Sequence, residues 1–194
     1  MKLGPEFIDV STLPQARIDL RYASENNFMK RNVYGSFVTA YLHRIAFEKL
    51  RHAGQALEGH RPGWKLLVFD ALRPRSAQKI LFAFVEGTDQ EPYIAPPVPG
   101  SIHNFGMAVD LSLLDERGEE VDMGTPFDDF RELAQPRHEE RFLASGHLTP
   151  QHVENRRFLR SLMLEAGFLG IPHEWWHFEA LPRDQVRDHF IIVE

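Results

Sequence analysis

Helix-like and strand-like stretches come in clusters along this chain and do not alternate strictly. Residues 37–58 place apolar side chains at helical spacing and predict an amphipathic helix. Residues 64–70 form a short apolar run that ends in Asp70, and this length indicates a buried strand. Because strict alternation is the mark of parallel α/β folds, the clustering favours an α+β fold with a central antiparallel sheet flanked by helices.

Proline and threonine mark where further helices are expected to begin. Pro74 predicts a helix over 75–86, since proline fits the first turn of a helix. Thr-Pro pairs open the stretches 125–134 and 149–168, where threonine would be the N-cap and proline the first helical residue. Both stretches are therefore predicted to be helical.

A second strand is predicted between the helix at 75–86 and the helix at 125–134. Residues 107–112 alternate between two sets of side chains, as in a strand whose faces differ. The polar stretch 115–120 follows and predicts a hairpin turn, with 121–124 as the returning edge. The strand carries Asp110 among apolar neighbours, and a buried carboxylate is costly unless it is paired or binds a metal.

The composition limits what kind of site and partner the chain can have. Its 194 residues predict one domain, spanning 1–194, that is large enough to form a core without a disulfide or a structural metal. There is no cysteine, so a metal site must use His, Asp and Glu. A net charge of −6 without a Lys/Arg run argues against nucleic-acid binding. No stretch is apolar enough for a membrane span or a signal peptide, so we expect a cytoplasmic protein.

The string His-Glu-Trp-Trp-His at 173–177 fits the zincin pattern H-E-x-x-H, in which two histidines one helical turn apart bind zinc. Pro172 and Pro182 leave little room for such a helix, and the aromatic residues between them favour a strand. No Gly-x-x-His continuation follows. We therefore expect a strand ending in which Glu174 and His177 matter and the first histidine does not.

A candidate metal site can be assembled from His103, Asp110 and His177. Either of the first two residues alone would more often be a solvated or turn-forming group. Together the three form a His₂Asp set, and three protein ligands with one open position are the arrangement of a catalytic zinc site. Arg73, which follows the predicted strand 64–70, could hold a substrate carbonyl or carboxylate. The alternative is a surface arginine paired with Asp70, and the residues themselves leave both interpretations open.

Two motifs carry a resemblance to a known family. The first is Ser-x-His-x-x-Gly-x-Ala-x-Asp, formed by Ser101, His103, Gly106, Ala108 and Asp110, and the second is Glu-x-x-His at 174–177. In this order they resemble the zinc D,D-peptidases of the M15 type, which share their metal-site scaffold with hedgehog signalling domains. Within that group the chain is similar to the VanX-type D-alanyl-D-alanine dipeptidases. Further matching stretches lie in family order at 19–28, 33–35, 70–74, 122–128 and 174–178.

The resemblance implies a site and a reaction. It implies one zinc ion per chain bound by His103, Asp110 and His177, with Glu174 as the general base and Arg73 stabilising the oxyanion. The fold it implies is the hedgehog/D,D-peptidase-like α+β domain. The reaction is hydrolysis of a small substrate, the D-alanyl-D-alanine dipeptide, to D-alanine. Two alternatives stay open: a D,D- or L,D-carboxypeptidase acting on peptidoglycan stems, and a zinc-stabilised binding module without catalysis.

Substrate contacts are also implied by the resemblance. Asp128 is expected to receive the free amino group of the dipeptide. Three further residues are expected to line or support the pocket: Tyr22, Asp70 and Ser101. His173 has no role in the family pattern. Asn104-Phe105 stands where some family members carry small or basic residues, and this bulky pair predicts an altered pocket rim.

Overall fold

The structure is a computed structural model that describes residues 3–194. Within these residues the chain forms seven β-strands and five α-helices, joined by loops and short 3₁₀ turns. The strands are β1 (Phe7–Asp9), β2 (Ala16–Ile18), β3 (Tyr41–His43), β4 (Lys65–Asp70), β5 (Ala108–Leu114), β6 (Leu169–Gly170) and β7 (His177–Glu179). The helices are α1 (Arg44–His60), α2 (Arg75–Val85), α3 (Glu139–Ala144), α4 (Pro150–Glu165) and α5 (Arg183–His189).

The central sheet has five strands in the order β2-β4-β5-β7-β6, and β1 and β3 form a separate pair. Three of the four pairings in the central sheet are antiparallel, whereas β2 pairs with β4 in parallel. The chain between β2 and β4 contains β3 and α1, which gives the long crossover that a parallel pair requires. The α+β prediction is confirmed, and the sheet is mixed rather than wholly antiparallel.

The core lies on the sheet and beneath α1. The apolar stripe of this helix is fully buried at Ala46, Leu50, Ala53 and Leu57, and the helix packs against β3, β4 and α4. β4 and β5 are buried along almost their whole length, so that both faces of the sheet centre are covered. Polar side chains on these two strands are therefore held inside the protein.

Several predicted elements are confirmed with small changes at their ends. The strand predicted at 64–70 is β4, and the helix predicted at 75–86 is α2. The Thr-Pro pair at 149–150 opens α4, where the Thr149 hydroxyl accepts a hydrogen bond from the backbone N–H of His152 at 3.2 Å. None of the helices in the described part of the chain combines the length and the apolarity that a bilayer crossing requires.

The predicted helix over 37–58 begins too early. Its first residues are not helical, residues 41–43 form β3, and the helix starts at Arg44. β3 pairs antiparallel with β1 in the register Ile8 to Leu42. The helical spacing of apolar side chains is a local signal and cannot show that a distant strand offers these residues a ladder of hydrogen bonds.

Two predictions between β5 and α3 are wrong. Residues 125–131 form an irregular loop rather than a helix, and the first regular turn after it is the 3₁₀ turn Glu132–Ala134. The hydroxyl of Thr125 does not cap a helix, because it accepts hydrogen bonds from Arg156 and Trp175 instead. Residues 121–124 form no strand; the hairpin is limited to one bridge between Leu114 and Glu120.

Candidate active site

Three neighbouring strands bring acidic and imidazole side chains into one row. In the register of the sheet, Asp70 of β4 lies opposite Asp110 of β5, and Asp110 lies opposite His177 of β7. Residues that face each other in adjacent strands have their Cβ atoms about 4.5–5.5 Å apart. The sheet register therefore places these side chains within contact of one another, although they are far apart in the sequence.

His103 joins the row from the 3₁₀ turn Ile102–Phe105, which precedes β5. The turn ends at Gly106 in the left-handed region with φ of 66°. A Cβ atom at this glycine would lie 2.9 Å from the ring of Phe7 and 3.0 Å from the backbone nitrogen of His43. Glycine is therefore required here by both conformation and space, and it allows the chain to turn from His103 directly into β5.

The three predicted metal ligands meet in one buried cluster. His177 Nδ1 lies 2.9 Å from Asp110 Oδ1 and 3.2 Å from His103 Nε2. His103 Nε2 lies 3.3 Å from Asp110 Oδ1. One ligand atom from each residue falls within 4.8 Å of the others, so the group could hold a metal ion.

The nitrogens that point away from the cluster, Nδ1 of His103 and Nε2 of His177, both face hydrogen-bond acceptors. His103 Nδ1 lies 2.7 Å from the carbonyl oxygen of Ala71, which can only accept, so this nitrogen carries the proton and Nε2 is left with a lone pair. His177 Nε2 lies 3.1 Å from Glu179 Oε1, an acceptor that can hold the proton on Nε2 and so free Nδ1 to bind a cation. With their protons held on the outer nitrogens, Nε2 of His103 and Nδ1 of His177 would each offer a lone pair to a cation placed between them.

The spacing of the donors also fits a small divalent ion. Ligand atoms of a tetrahedral zinc site, with bonds of about 2.0–2.1 Å, lie about 3.3 Å apart. The three donor separations in this cluster are 2.9, 3.2 and 3.3 Å. The residues present therefore fit a zinc-type ion without any change of fold.

His173 lies outside this cluster. Residues 171–176 form bends rather than a helix, and the segment becomes regular only at His177, where β7 begins. The metal-ligand group contains His177 but not His173. The expectation that the H-E-x-x-H string does not form a zincin helix is confirmed.

Glu174 lies beside the cluster, with Oε2 3.9 Å from Nδ1 of His177 and its side chain 18% exposed. Burial raises the pKa of its carboxyl group to about 7, although the nearby histidines act in the opposite direction. A carboxyl group that titrates near neutral pH can both accept and donate a proton. Its position and its pKa therefore suit proton transfer at the metal site.

Arg73 is held in a fixed orientation next to the cluster. Its Nε and Nη2 donate to Oδ2 of Asp70 at 2.9 and 2.7 Å, and its Nη1 donates to Oε1 of Gln78 at 2.9 Å. The hydroxyl of Tyr34 donates to the other oxygen of Asp70. Burial lowers the pKa of Arg73, but Asp70 and the other acidic groups around it together raise it above its usual range, so the guanidinium keeps its proton. The pair with Asp70 thus forms, but inside the protein rather than on its surface.

Asp128 and Tyr22 form a second polar pair in the same region. The Tyr22 hydroxyl lies 3.0 and 3.1 Å from the two oxygens of Asp128. Burial raises the pKa of Asp128 well above its usual range, and the charge of Asp110 raises it further. A carboxyl group in this state gains most from a cationic partner, which would restore its ionised form.

All of the predicted site residues except Asp70 open into one cavity of about 700 Å³. Its wall includes the predicted site residues Tyr22, Arg73, Ser101, His103, Asp110, Asp128, Glu174 and His177. Asp70 is fully buried and does not line the cavity, but it holds Arg73 from behind. The predicted effect of Asn104-Phe105 on the rim is wrong, because both residues are buried and neither lines this cavity.

The amino-acid sequence of the whole chain is similar to that of known proteins. A profile of the peptidase family M15, described as D-ala-D-ala dipeptidase, matches residues 1–193. The chain belongs to this family. The M15 resemblance of the sequence motifs is thereby confirmed, and the chain is a peptidase by family.

Curated relatives agree with the family match. The chain is 33% identical to a D-alanyl-D-alanine dipeptidase of Escherichia coli strain K12, over 90% of this chain and 84% of the relative. It is 27% identical to a D-alanyl-D-alanine dipeptidase of Enterococcus faecium, over 92% of both chains. A Synechocystis protein with the same name is 29% identical over 68% of this chain and 65% of the relative.

Sequence reasoning missed Glu179, the carboxylate behind His177. It is buried, and besides His177 it contacts the guanidinium of Arg183, whose Nε donates to Oε1 at 2.8 Å. The signal was available, because residues two apart in a strand point to the same face. Glu179 thus lies on the same side of β7 as the imidazole of His177.

We expect Glu179→Ala to weaken metal binding by about 10–100-fold, because His177 loses the acceptor that fixes its tautomer and ring orientation. Titration of the metal-free protein with zinc against a competing chelator measures this. Glu165→Gln, an exposed carboxylate at the end of α4, is the matched control and should bind as the wild type does. Equal affinities in Glu179→Ala and the wild type would contradict the assignment.

Proposed function

We propose that the protein hydrolyses the D-alanyl-D-alanine dipeptide to D-alanine, using one zinc ion bound by His103, Asp110 and His177 in a single domain spanning 1–194. The observation that carries this proposal is the buried cluster of His103, Asp110 and His177, at the wall of a cavity that also contains Glu174 and Arg73. The relatives named as D-alanyl-D-alanine dipeptidases supply the substrate.

A zinc ion at this place would polarise the scissile carbonyl and make a water molecule more acidic. Glu174 takes the proton from the attacking water and passes it to the leaving amine. Arg73 offers its remaining N–H groups to the carbonyl oxygen as negative charge develops there. Because Asp70 and Gln78 already hold the guanidinium, this stabilisation requires no rearrangement during the reaction.

Asp128 and Tyr22 are proposed to receive the free amino group of the dipeptide, and Ser101 to line the pocket. The ammonium group would ionise Asp128 and share its charge, while the Tyr22 hydroxyl keeps the carboxylate in place. In a longer stem peptide the same nitrogen is a neutral amide. Such a substrate leaves Asp128 without a cationic partner, so the site is expected to favour free dipeptides.

The test is a substrate panel with the zinc-loaded protein: D,D-, L,D- and L,L-dipeptides, N-acetyl-D-Ala-D-Ala and stem pentapeptide. We expect kcat/KM for D-Ala-D-Ala to exceed that for the acetylated form by about 100-fold, since loss of a desolvated charge partner is costly. Asp128→Asn should narrow this ratio. Comparable rates on both would support the carboxypeptidase alternative, and zinc binding without hydrolysis of any substrate would support the binding module.

A further inference from the structure

Arg156, on α4, is a buried cation without a carboxylate at ion-pair distance among residues 3–194. Its side chain is 1% exposed, and its contacts are with uncharged acceptors. Nε donates to the carbonyl of Met123 at 2.7 Å, Nη1 to the carbonyl of Leu133 at 3.0 Å, and Nη2 to Oγ1 of Thr125 at 3.2 Å. A buried guanidinium is costly, so its position calls for a reason that core packing does not supply.

The three acceptors enclose the loop that carries Asp128. Met123 and Thr125 precede Asp128, and Leu133 follows it. Between 122 and 130, the backbone makes no backbone-to-backbone hydrogen bond within the described residues. The rings of Phe127 and Phe130 pack against the core. The polar contacts at the ends of the loop come from α4, with Arg156 binding both ends and Asn155 and His152 binding Asp122.

The loop needs such support because of its conformation at Asp128. This residue has φ of 60°, in the left-handed region that residues other than glycine rarely adopt. A backbone of this kind persists only when its surroundings hold it. We expect loss of the contacts from α4 to loosen the backbone on both sides of Asp128 and to weaken its contact with the hydroxyl of Tyr22.

A second connection joins this loop to the segment that carries the proposed base. Oγ1 of Thr125 also accepts a hydrogen bond from Nε1 of Trp175 at 2.9 Å. Trp175 directly follows Glu174, and its ring lies 6.0 Å from the guanidinium carbon of Arg156. The hydroxyl of Thr125 thus connects Arg156 both to the loop that carries Asp128 and to the segment that carries Glu174.

We propose that Arg156 is a positioning residue that fixes where Asp128 meets the amino group of the substrate, and that it thereby controls the preference for free dipeptides over N-acylated peptides. The inference rests on the proposed function. Because Arg156 does not line the cavity and does not touch the metal cluster, its loss should affect amine recognition and leave metal binding in place.

The test uses Arg156→Met and measures D-Ala-D-Ala and N-acetyl-D-Ala-D-Ala on the same zinc-loaded sample. The ratio of the two kcat/KM values does not depend on the fraction of protein that is folded. We expect this ratio to fall about tenfold, through a higher KM for the free dipeptide with little change in kcat and in zinc per folded chain. Arg156→Lys keeps the charge but cannot reach three separated acceptors. Its ratio of free to acetylated dipeptide should therefore lie between those of the wild type and Arg156→Met.

Arg160→Met is the matched control. Arg160 lies one turn further along α4 and binds the buried carboxylate of Glu139 at 2.7 and 3.2 Å without touching the loop. Its loss should lower stability while the substrate ratio stays as in the wild type. Thr125→Val removes only the oxygen that accepts from both Arg156 and Trp175. It should lower the ratio of kcat/KM values for the free and acetylated dipeptides even if Arg156→Met does not fold.

The outcomes separate the two proposals. If the wild type prefers the free dipeptide but Arg156→Met, Arg156→Lys and Thr125→Val all keep its ratio, the positioning role is wrong and the proposed function stands. An equal change in Arg160→Met would also overturn it, since general loosening of α4 would then explain the effect. If the wild type treats both substrates alike, the amine anchor at Asp128 fails, and the role of Arg156 fails with it.

Discussion

Replacing His177 with alanine is expected to reduce bound zinc from one ion per chain to nearly none. The imidazole supplies one of the three proposed protein ligands, and its Nδ1 is within 3.2 Å of both other proposed ligand residues. His103→Ala should behave in the same way. Metal analysis after dialysis of zinc-loaded protein measures the effect, and full retention of zinc in His177→Ala would contradict the proposed site.

His173→Ala is the control for this experiment, because it removes the other histidine of the H-E-x-x-H string. His173 is exposed and lies in a bend outside the metal-ligand group. Its removal should leave the zinc content at one ion per chain. Loss of zinc in His173→Ala equal to that in His177→Ala would restore the zincin interpretation.

Glu174→Gln is expected to lower kcat by about 10²–10⁴-fold while zinc content and melting temperature stay close to those of the wild type. Glutamine has nearly the same shape as glutamate but cannot take up the proton of the attacking water. Glu174 lies outside the three-ligand group, at 3.9 Å from His177 Nδ1, so metal affinity should change little. Single-turnover hydrolysis of D-Ala-D-Ala measures the chemical step directly.

Glu140→Gln, an exposed carboxylate on α3, controls for the loss of a negative charge alone and should retain wild-type turnover. Wild-type turnover in Glu174→Gln would show that the general base lies elsewhere. Loss of both zinc and turnover would instead mean that Glu174 belongs to the metal site, and the division of roles between Glu174 and the ligands would be wrong.

Most of the candidate site residues could be identified from the sequence, although Glu179 was missed, and their arrangement could not. Asp110 was conspicuous because a carboxylate within an apolar strand requires a partner. The partner itself is set by strand pairing, which brings Asp110 opposite both Asp70 and His177. Pairing between segments 40 and 67 residues apart leaves no local pattern, so only the folded sheet shows that these side chains form one row.

The two Thr-Pro signals show the same limit. At Thr149 the hydroxyl accepts from the N–H of His152, three residues away, and a helix follows as predicted. At Thr125 the hydroxyl is taken by Arg156 and Trp175, which lie 31 and 50 residues further along the chain. A capping signal predicts a helix only where no distant donor competes for the oxygen, and the sequence does not show the competitor.

The row formed by Asp70, Asp110 and His177 has a consequence for how the chain reaches its native state. A slip of one residue between β5 and β7 would turn His177 to the opposite face of the sheet and separate it from Asp110. Only the correctly registered sheet would therefore bind the proposed ion, and the ion would stabilise that pairing over every slipped one. The metal would then select the correct strand register, and it would do so only late in folding, after the long-range contacts have formed.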